Sequence, residues 1–330
     1  MSSTNSTGGI EDFKFYEYNP TMGASILFTV LFFLISVGIC FLVVQRDIKS
    51  RFKAEIWKDL QGVRNYSIGK LTGAHVPLLV GCFVELAGYI GRCVSAHDQE
   101  LMGAYIEQYI LLLIAPTLYA GSIYMLFGRM AHLLFAEKIM IMPARFNTAI
   151  FVCGDIASLF LQAAGGGLMA NDSQHQLGCN LVTAGLFVQI GFFGLFILNE
   201  FYFYFRVFKL PSDIPRKTKT WRILNLNLLV NSFLILIRSI VRTVEFLEGF
   251  SGFIASHEWF LYVFDALPMF ALPVIFVSTY HMANIYMIQE ESVEIQAYNN
   301  YSHQLNGETI DEVSDELEHD YITDMEEVKL

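Results

Sequence analysis

Charge is what this 330-residue sequence has least of. Asp, Glu, Lys and Arg together make up 16% of it, while 54% is hydrophobic. The shortage is patterned: seven long apolar runs hold very little charge, and they leave no room for a separate soluble domain. A nucleotide-binding loop is also missing, because Gly165-Gly166-Gly167 is not followed by the lysine that a phosphate-cradling loop needs. Work powered by ATP hydrolysis within this chain is excluded on that ground. Cysteine is scarce, five residues in all. Cys40, Cys82 and Cys153 fall inside apolar runs and read as packing residues. Cys93 and Cys179 fall at run ends expected on the outer face, so they are a candidate disulfide or two unrelated interfacial thiols. The first 22 residues are polar, and the first apolar run is too long for a cleavable signal. That run is expected to act as signal and anchor together.

A helix needs about 20 mostly apolar residues to cross a ~30 Å hydrocarbon core. The runs at 23–44, 73–94, 107–128, 147–169, 180–205, 223–244 and 259–283 meet that length. The expected class is therefore all-α, a polytopic membrane protein with seven transmembrane helices. Lys and Arg set its orientation. The connections 45–72, 129–146 and 206–222 carry seven, three and six of them; the alternate connections carry none, and the amino-terminal segment has only Lys14. The basic connections are expected in the cytosol, which places the amino terminus outside and the carboxyl terminus inside.

The formal net charge of −11 belongs to the tail. From Ile285 onward thirteen Asp and Glu face a single Lys329, a contribution of −12, which leaves the rest of the chain near +1. Nucleic-acid binding is not to be read from the overall balance. The domain plan is an outer segment 1–22, a membrane domain 23–284 and an acidic cytosolic tail 285–330 expected to be disordered. Sequons at Asn5 and Asn171 fall on the expected outer side as candidate glycosylation sites, while those at Asn65 and Asn300 fall inside.

Ionisable groups inside a span are expensive and usually face the bundle interior. Away from the rims they are Glu85 and Arg92 in span two, Asp155 in span four, Arg238 and Arg242 in span six, and Asp265 in span seven. Glu85 and Arg92 are seven residues apart and share a helix face with Gly88 between them. Arg238, Arg242 and Glu245 form a second stripe, and Asp155, Ser158 and Gln162 a third that runs into the glycine triplet. Gln189 adds a polar group to span five. The bland account is interhelical glue, with charges paired to fix register. The sharper one is a polar path through the bundle, with Pro116, Pro268 and Pro273 as hinges or unwound turns along it or as tolerated kinks.

These residues together resemble the fungal seven-span lipid-translocating exporter family, whose members include an aminocholesterol-resistance protein and a sphingoid long-chain-base exporter. The matching pieces are Tyr18-Asn19-Pro20, Glu85-x-x-Gly88-Tyr89-x-x-Arg92, and Gln108 followed by Leu113-Ile114-Ala115-Pro116 and Tyr119-Ala120. Further on come Asp155 through Gln162 to Gly165-Gly166-Gly167, Arg238-Ser239-x-x-Arg242-x-x-Glu245, and Glu258, Tyr262 and Asp265. Their order on successive spans carries the resemblance, over roughly residues 17 to 285. It implies outward movement of amphipathic lipids or sterol-like compounds and resistance to toxic ones.

The functional expectation is thus a plasma-membrane transporter rather than an enzyme. Its partners would be membrane lipids or amphipathic small molecules, with no nucleic acid, cofactor or metal. The substrate path would be lined by Glu85, Tyr89, Arg92, Gln108, Asp155, Ser158, Gln162, Gln189, Arg238, Arg242, Glu245 and Asp265. Two alternatives stand beside it. A seven-span receptor fits the count and orientation, but span three ends Gly128-Arg129-Met130 and span seven lacks Asn-Pro-x-x-Tyr. An intramembrane zinc hydrolase would draw on His75, His132 and His281, but span seven lacks two histidines one turn apart.

Overall fold

Backbone amides inside hydrocarbon must bond to one another, so an apolar run that enters a membrane becomes a helix. The computed structural model describes residues 21–57, 63–97, 102–142, 144–169, 172–210, 214–249, 252 and 258–302. Seven of its helices are long and apolar enough to cross a membrane. They are α1 (Met22–Trp57), α2 (Val76–His97), α3 (Met102–Leu133), α4 (Ala144–Met169), α5 (His175–Arg206) and α6 (Thr220–Glu248), with α7 as the seventh. The last is a continuous run of Glu258–Leu261, a π-helical turn Tyr262–Ala266, and Leu267–Tyr280. No strand occurs among the described residues. The protein is a multi-pass membrane protein.

The exterior is apolar. On α1 the buried positions Ser25, Phe32, Ser36, Ile39 and Val43 follow helical spacing, and the opposite face exposes Leu27, Val30, Phe33, Leu34, Val37 and Phe41. An outward face of that kind is solvated by lipid tails rather than water. Successive helices pack into a ring closed by α7 against α1, and α3 also touches α6 across its middle. The α3 span is the most enclosed of the seven. The α3–α6 seam divides the interior into a side bounded by α1, α2 and α7 and a side bounded by α4 and α5.

Small residues set how closely the helices approach. A Cβ at Gly165 on α4 would stand 2.7 Å from the Gly178 carbonyl oxygen, and one at Gly178 on α5 would stand 2.6 Å from the Gly165 oxygen. Further along, a Cβ at Gly185 would meet the Ser158 oxygen at 2.8 Å. Backbone thus touches backbone along this pair, a close packing typical of membrane helices.

Of the readings open for the prolines, Pro116 and Pro273 fit the tolerated one. α3 runs through Pro116 and α7 through Pro273 without interruption. At Pro268 the missing N–H leaves the Phe264 carbonyl without its helical donor. One turn earlier the ladder widens, and the Leu267 N–H reaches the Tyr262 oxygen in a π turn.

The tail corrects the domain plan. Residues 285–302 form a further helix, α8, instead of the expected disordered start. It lies across the end of the bundle that carries the basic connections. Its buried positions are Ile285, Tyr286, Ile288, Gln289, Ser292, Val293 and Gln296, three of them Gln or Ser, which hides its amphipathicity. Those polar groups are used. Gln289 accepts from the Tyr66 N–H (2.9 Å) and donates to the Tyr66 oxygen (3.1 Å). Gln296 repeats this double bond at Arg64 (2.7 and 3.2 Å), and Ser292 donates to the Leu133 oxygen (2.8 Å). Glu290 pairs with Arg46 and Lys53 on α1, and Glu291 accepts from the Lys219 N–H at the start of α6. Residues 1–20 and 303–330, with the sequons at Asn5 and Asn171, lie outside the described residues.

Candidate functional site

The first side of the seam holds a charge-balanced centre. Arg238 and Arg242 are one turn apart on α6 and share one carboxylate, Asp265, on the π turn of α7. Arg242 Nη2 lies 2.6 Å from Asp265 Oδ2, and its Nη1 lies 3.4 Å from Glu245 Oε2. Arg238 Nη2 donates to the Leu112 carbonyl on α3 at 2.7 Å. That carbonyl is free because Pro116, four residues on, has no N–H to give it. One proline in α3 therefore supplies the acceptor that seats an arginine from α6. A widened turn in α7 carries the carboxylate the same arginine needs.

Glu85 on α2 is buried within electrostatic range of Arg238, Asp265 and Arg242, and its Oε1 has no hydrogen-bond partner among the described residues. Two turns along α2, Arg92 donates to the Tyr262 hydroxyl at 3.2 Å and lies over that ring. The same hydroxyl is 3.2 Å from Ser25 Oγ on α1. Phe28 stacks on both Tyr262 and Tyr89, each at 5.5 Å, and Phe32 stacks on Tyr89 at 5.3 Å. The aromatic wall screens the charges from the lipid-facing side of α1. Gln108 is buried opposite Gly91, where α2 and α3 meet closely.

The second side is different in kind. The Tyr124 hydroxyl of α3 donates to Asp155 Oδ2 on α4 at 2.9 Å, and Oδ1 is buried without a hydrogen-bond partner among the described residues. Ser158 donates to the Asp155 carbonyl, and Gln162 donates to Gln189 on α5 at 3.2 Å. Nearby on α5, Glu200 is fully buried; Ser232 of α6 donates to its Oε2 at 3.3 Å, and its Oε1 has no hydrogen-bond partner among the described residues. Carboxylates dominate here, and no Arg or Lys pairs with either among the described residues.

The expected residues thus fall into two groups rather than one path. Glu85, Tyr89, Arg92, Arg238, Arg242, Glu245 and Asp265 come together. Asp155, Ser158, Gln162 and Gln189 lie beyond the seam, because the Asp155 face of α4 turns toward α3 and α5. Glu200 was missed: in sequence it sits close to Arg206 and reads as part of a span's rim. The candidate disulfide is not formed. Cys93 and Cys179 are free thiols on α2 and α5, the first 3.5 Å from Thr29 Oγ1 and the second 3.8 Å from His175 Nδ1. Neighbours in sequence pack together in this ring, and α2 and α5 are not a packing pair. His75 turns Nδ1 to the Leu71 oxygen at 3.0 Å and stacks on Tyr286, while His132 pairs with Glu137.

Comparison with known proteins gives these positions a family. The family model described as "RTA1 like protein" matches residues 78–290, which span both polar groups and the start of α8. Protein RTA1 of Saccharomyces cerevisiae is 53% identical over 287 residues, covering 87% of this chain and 90% of that protein. Protoporphyrin uptake protein 1 of the same species is 41% identical, covering 88% and 98%. A sphingoid long-chain base transporter, RSB1 of Saccharomyces cerevisiae strain Lalvin EC1118, is 26% identical, covering 64% and 65%. No solved structure matches. With more than half of its length matched by the family model, and with that 53% identical relative, the chain belongs to the RTA1-like protein family.

Proposed function

We propose that this protein is a membrane transporter, not an enzyme, that moves amphipathic lipids or sterol-like compounds across the plasma membrane, from the side of the basic connections outward. The observation that carries the reading is the interior polarity of a protein with a lipid-like exterior. A polar headgroup meets a steep barrier in hydrocarbon, and buried groups with unused bonding capacity lower it. The ion-paired centre of Arg238, Arg242 and Asp265 is largely satisfied and holds α3, α6 and α7 in register. Glu85, Asp155 and Glu200 each have one buried oxygen with no hydrogen-bond partner among the described residues. Of these, Glu85 has Arg238 and Arg242 within electrostatic range, while Asp155 and Glu200 pair with no Arg or Lys among those residues. An ionised carboxylate buried without a counter-charge is costly. A cationic headgroup is the partner such groups favour, and the amine of a sphingoid base or an amino-sterol supplies one. The name of the sphingoid-base relative supports this substrate class, and that of the protoporphyrin relative supports an amphiphile in general.

The test is reconstitution in liposomes with fluorescent sphingoid-base, sterol and porphyrin probes, reading the leaflet of each probe against time. Wild-type protein is expected to speed redistribution of the amine-bearing probe, and Asp155→Asn or Glu200→Gln to remove most of that acceleration at equal protein content. Equal rates in wild type and both variants would sink the assignment. Loading the probe from either leaflet reads the direction.

A further inference from the structure

The functional reading leaves a cavity of about 870 Å³ at the basic end of the bundle without a role. It lies between α3, α4 and the connection that joins them, with Tyr66 of the α1–α2 connection also in its lining. Met125, Gly128, Arg129 and His132 of α3 line it at helical spacing, with Lys138 and Ile141 on its other wall. Gly128 presents no side chain, and a Cβ there would stand 3.4 Å from Thr148 Oγ1, so α3 and α4 come close along this edge of the cavity.

Its charges do not balance. Among the described residues the one acid in the lining, Glu137, is engaged by His132 and by Arg64, the latter at 3.4 Å. Arg129 has no such partner. Its hydrogen bonds are to the Leu71 carbonyl at 3.4 Å and the Met125 sulfur at 3.8 Å, and no carboxylate lies within ion-pair distance among the described residues. A partly buried guanidinium with five donors in a fixed fork favours a bidentate oxyanion. Lys138 stands exposed at the rim as a second positive charge. Arg129 is one turn from the end of α3 at Leu133, the depth at which long basic side chains meet lipid headgroups. Met125, Met140 and Ile141 give the same cavity an apolar side.

We propose that this cavity is a binding site for a phosphate-bearing anion, the headgroup of an anionic lipid, with the phosphate on Arg129 and Lys138 and the chains along Met125 and Ile141. It is separate from the interior carboxylates and takes ligands of opposite charge. A free phosphate shares the headgroup's chemistry, so the test separates the two sources.

Purified full-length protein is placed in nanodiscs of phosphatidylcholine with graded phosphatidic acid, and in phosphatidylcholine nanodiscs with inorganic phosphate, and its unfolding temperature is followed. The wild type is expected to rise with phosphatidic acid and not with inorganic phosphate. Arg129→Gln and Lys138→Gln are expected to need roughly tenfold more phosphatidic acid for the same rise, the loss of a charge-assisted bond. Lys138 is exposed, so its variant keeps the test readable where Arg129→Gln folds poorly. Lys49→Gln, exposed on α1 and not among the residues lining the cavity, is expected to respond like wild type. An equal rise with inorganic phosphate would overturn the lipid assignment and leave a soluble-phosphate site. No wild-type response to either probe, or a full response in both cavity variants, would overturn the site itself. A loss as large in Lys49→Gln would also overturn it, since a diffuse basic surface then accounts for the binding.

Discussion

The glycine triplet of α4 offers a test with its controls built in. Gly165, Gly166 and Gly167 are adjacent in sequence and differ in surroundings. A Cβ at Gly165 would stand 2.7 Å from the Gly178 oxygen and 2.7 Å from the Val182 nitrogen, both backbone atoms of α5. At Gly166 and Gly167 nothing lies within 4 Å. Carbon contacts are favourable near 3.5–4.0 Å, so alanine at 165 is too close by nearly 1 Å, and neither atom can rotate away. The helices must part, and overpacking of that kind costs about 1–3 kcal/mol. Alanine gains back roughly 0.5–1 kcal/mol over glycine in a helix interior. Gly165→Ala should therefore be destabilised by up to about 2 kcal/mol net, while Gly166→Ala and Gly167→Ala should be unchanged or stabilised by up to about 1 kcal/mol. Denaturation midpoints of the three purified variants, in one detergent, read the difference directly. Gly178→Ala should match Gly165→Ala, and the double variant should cost less than the two added, because one separation relieves both clashes. If Gly166→Ala falls as far as Gly165→Ala, the packing of α4 on α5 is not as described.

Asp265→Asn leaves Arg238 and Arg242 without their shared carboxylate, and breaking a buried pair from one side costs about 3–5 kcal/mol. Surface abundance and unfolding temperature should both fall, and Asp265→Asn with Arg242→Gln should recover part of the loss. Gln289→Leu and Gln296→Leu remove the paired amide bonds to Tyr66 and Arg64. Hydrogen exchange over residues 63–67 should speed about tenfold or more in each, the equivalent of roughly 1.4 kcal/mol of lost protection, and unchanged exchange would refute the clamp. Orientation is open to a glycosidase shift: the sequons at Asn5 or Asn171 should be modified and Asn65 should not. A glycan on Asn65 would invert the topology.

Crossing helices were legible in the sequence because membrane insertion depends on the local count of apolar residues, and the basic connections were legible for the same reason. Partnership was not. Spacing places Asp155, Ser158 and Gln162 on one face, but which neighbour that face meets depends on helix rotation, which no local signal encodes. The partner of Arg238 shows why. Half of its seating is a main-chain carbonyl, exposed by a proline four residues away on another helix, and sequence reading looks for side chains. α8 escaped notice for a related reason. Three of its seven buried positions are Gln or Ser, and a glutamine that grips backbone on both sides looks, in sequence, like one that faces water.

The seam between α3 and α6 joins the two polar groups mechanically as well as dividing them. Ser232 and Arg238 lie on the same helix, one bonded to Glu200 and the other to Asp265 and the Leu112 carbonyl. Under the proposed function a ligand cation would take the unused Oε1 of Glu200 beside the Ser232 bond to Oε2, while Arg238 and Arg242 hold α6 to α7 on the other side. On that proposal the two arginines would serve as a pivot and the carboxylates as the docking point for cargo. Removing the pivot should loosen α6 whatever the cargo, and removing Glu200 or Asp155 should affect only cargoes that carry a positive charge. That division follows from where the unused bonding capacity lies. Had the arginines been the unpartnered groups and the carboxylates the paired ones, the same seven helices would favour an anion.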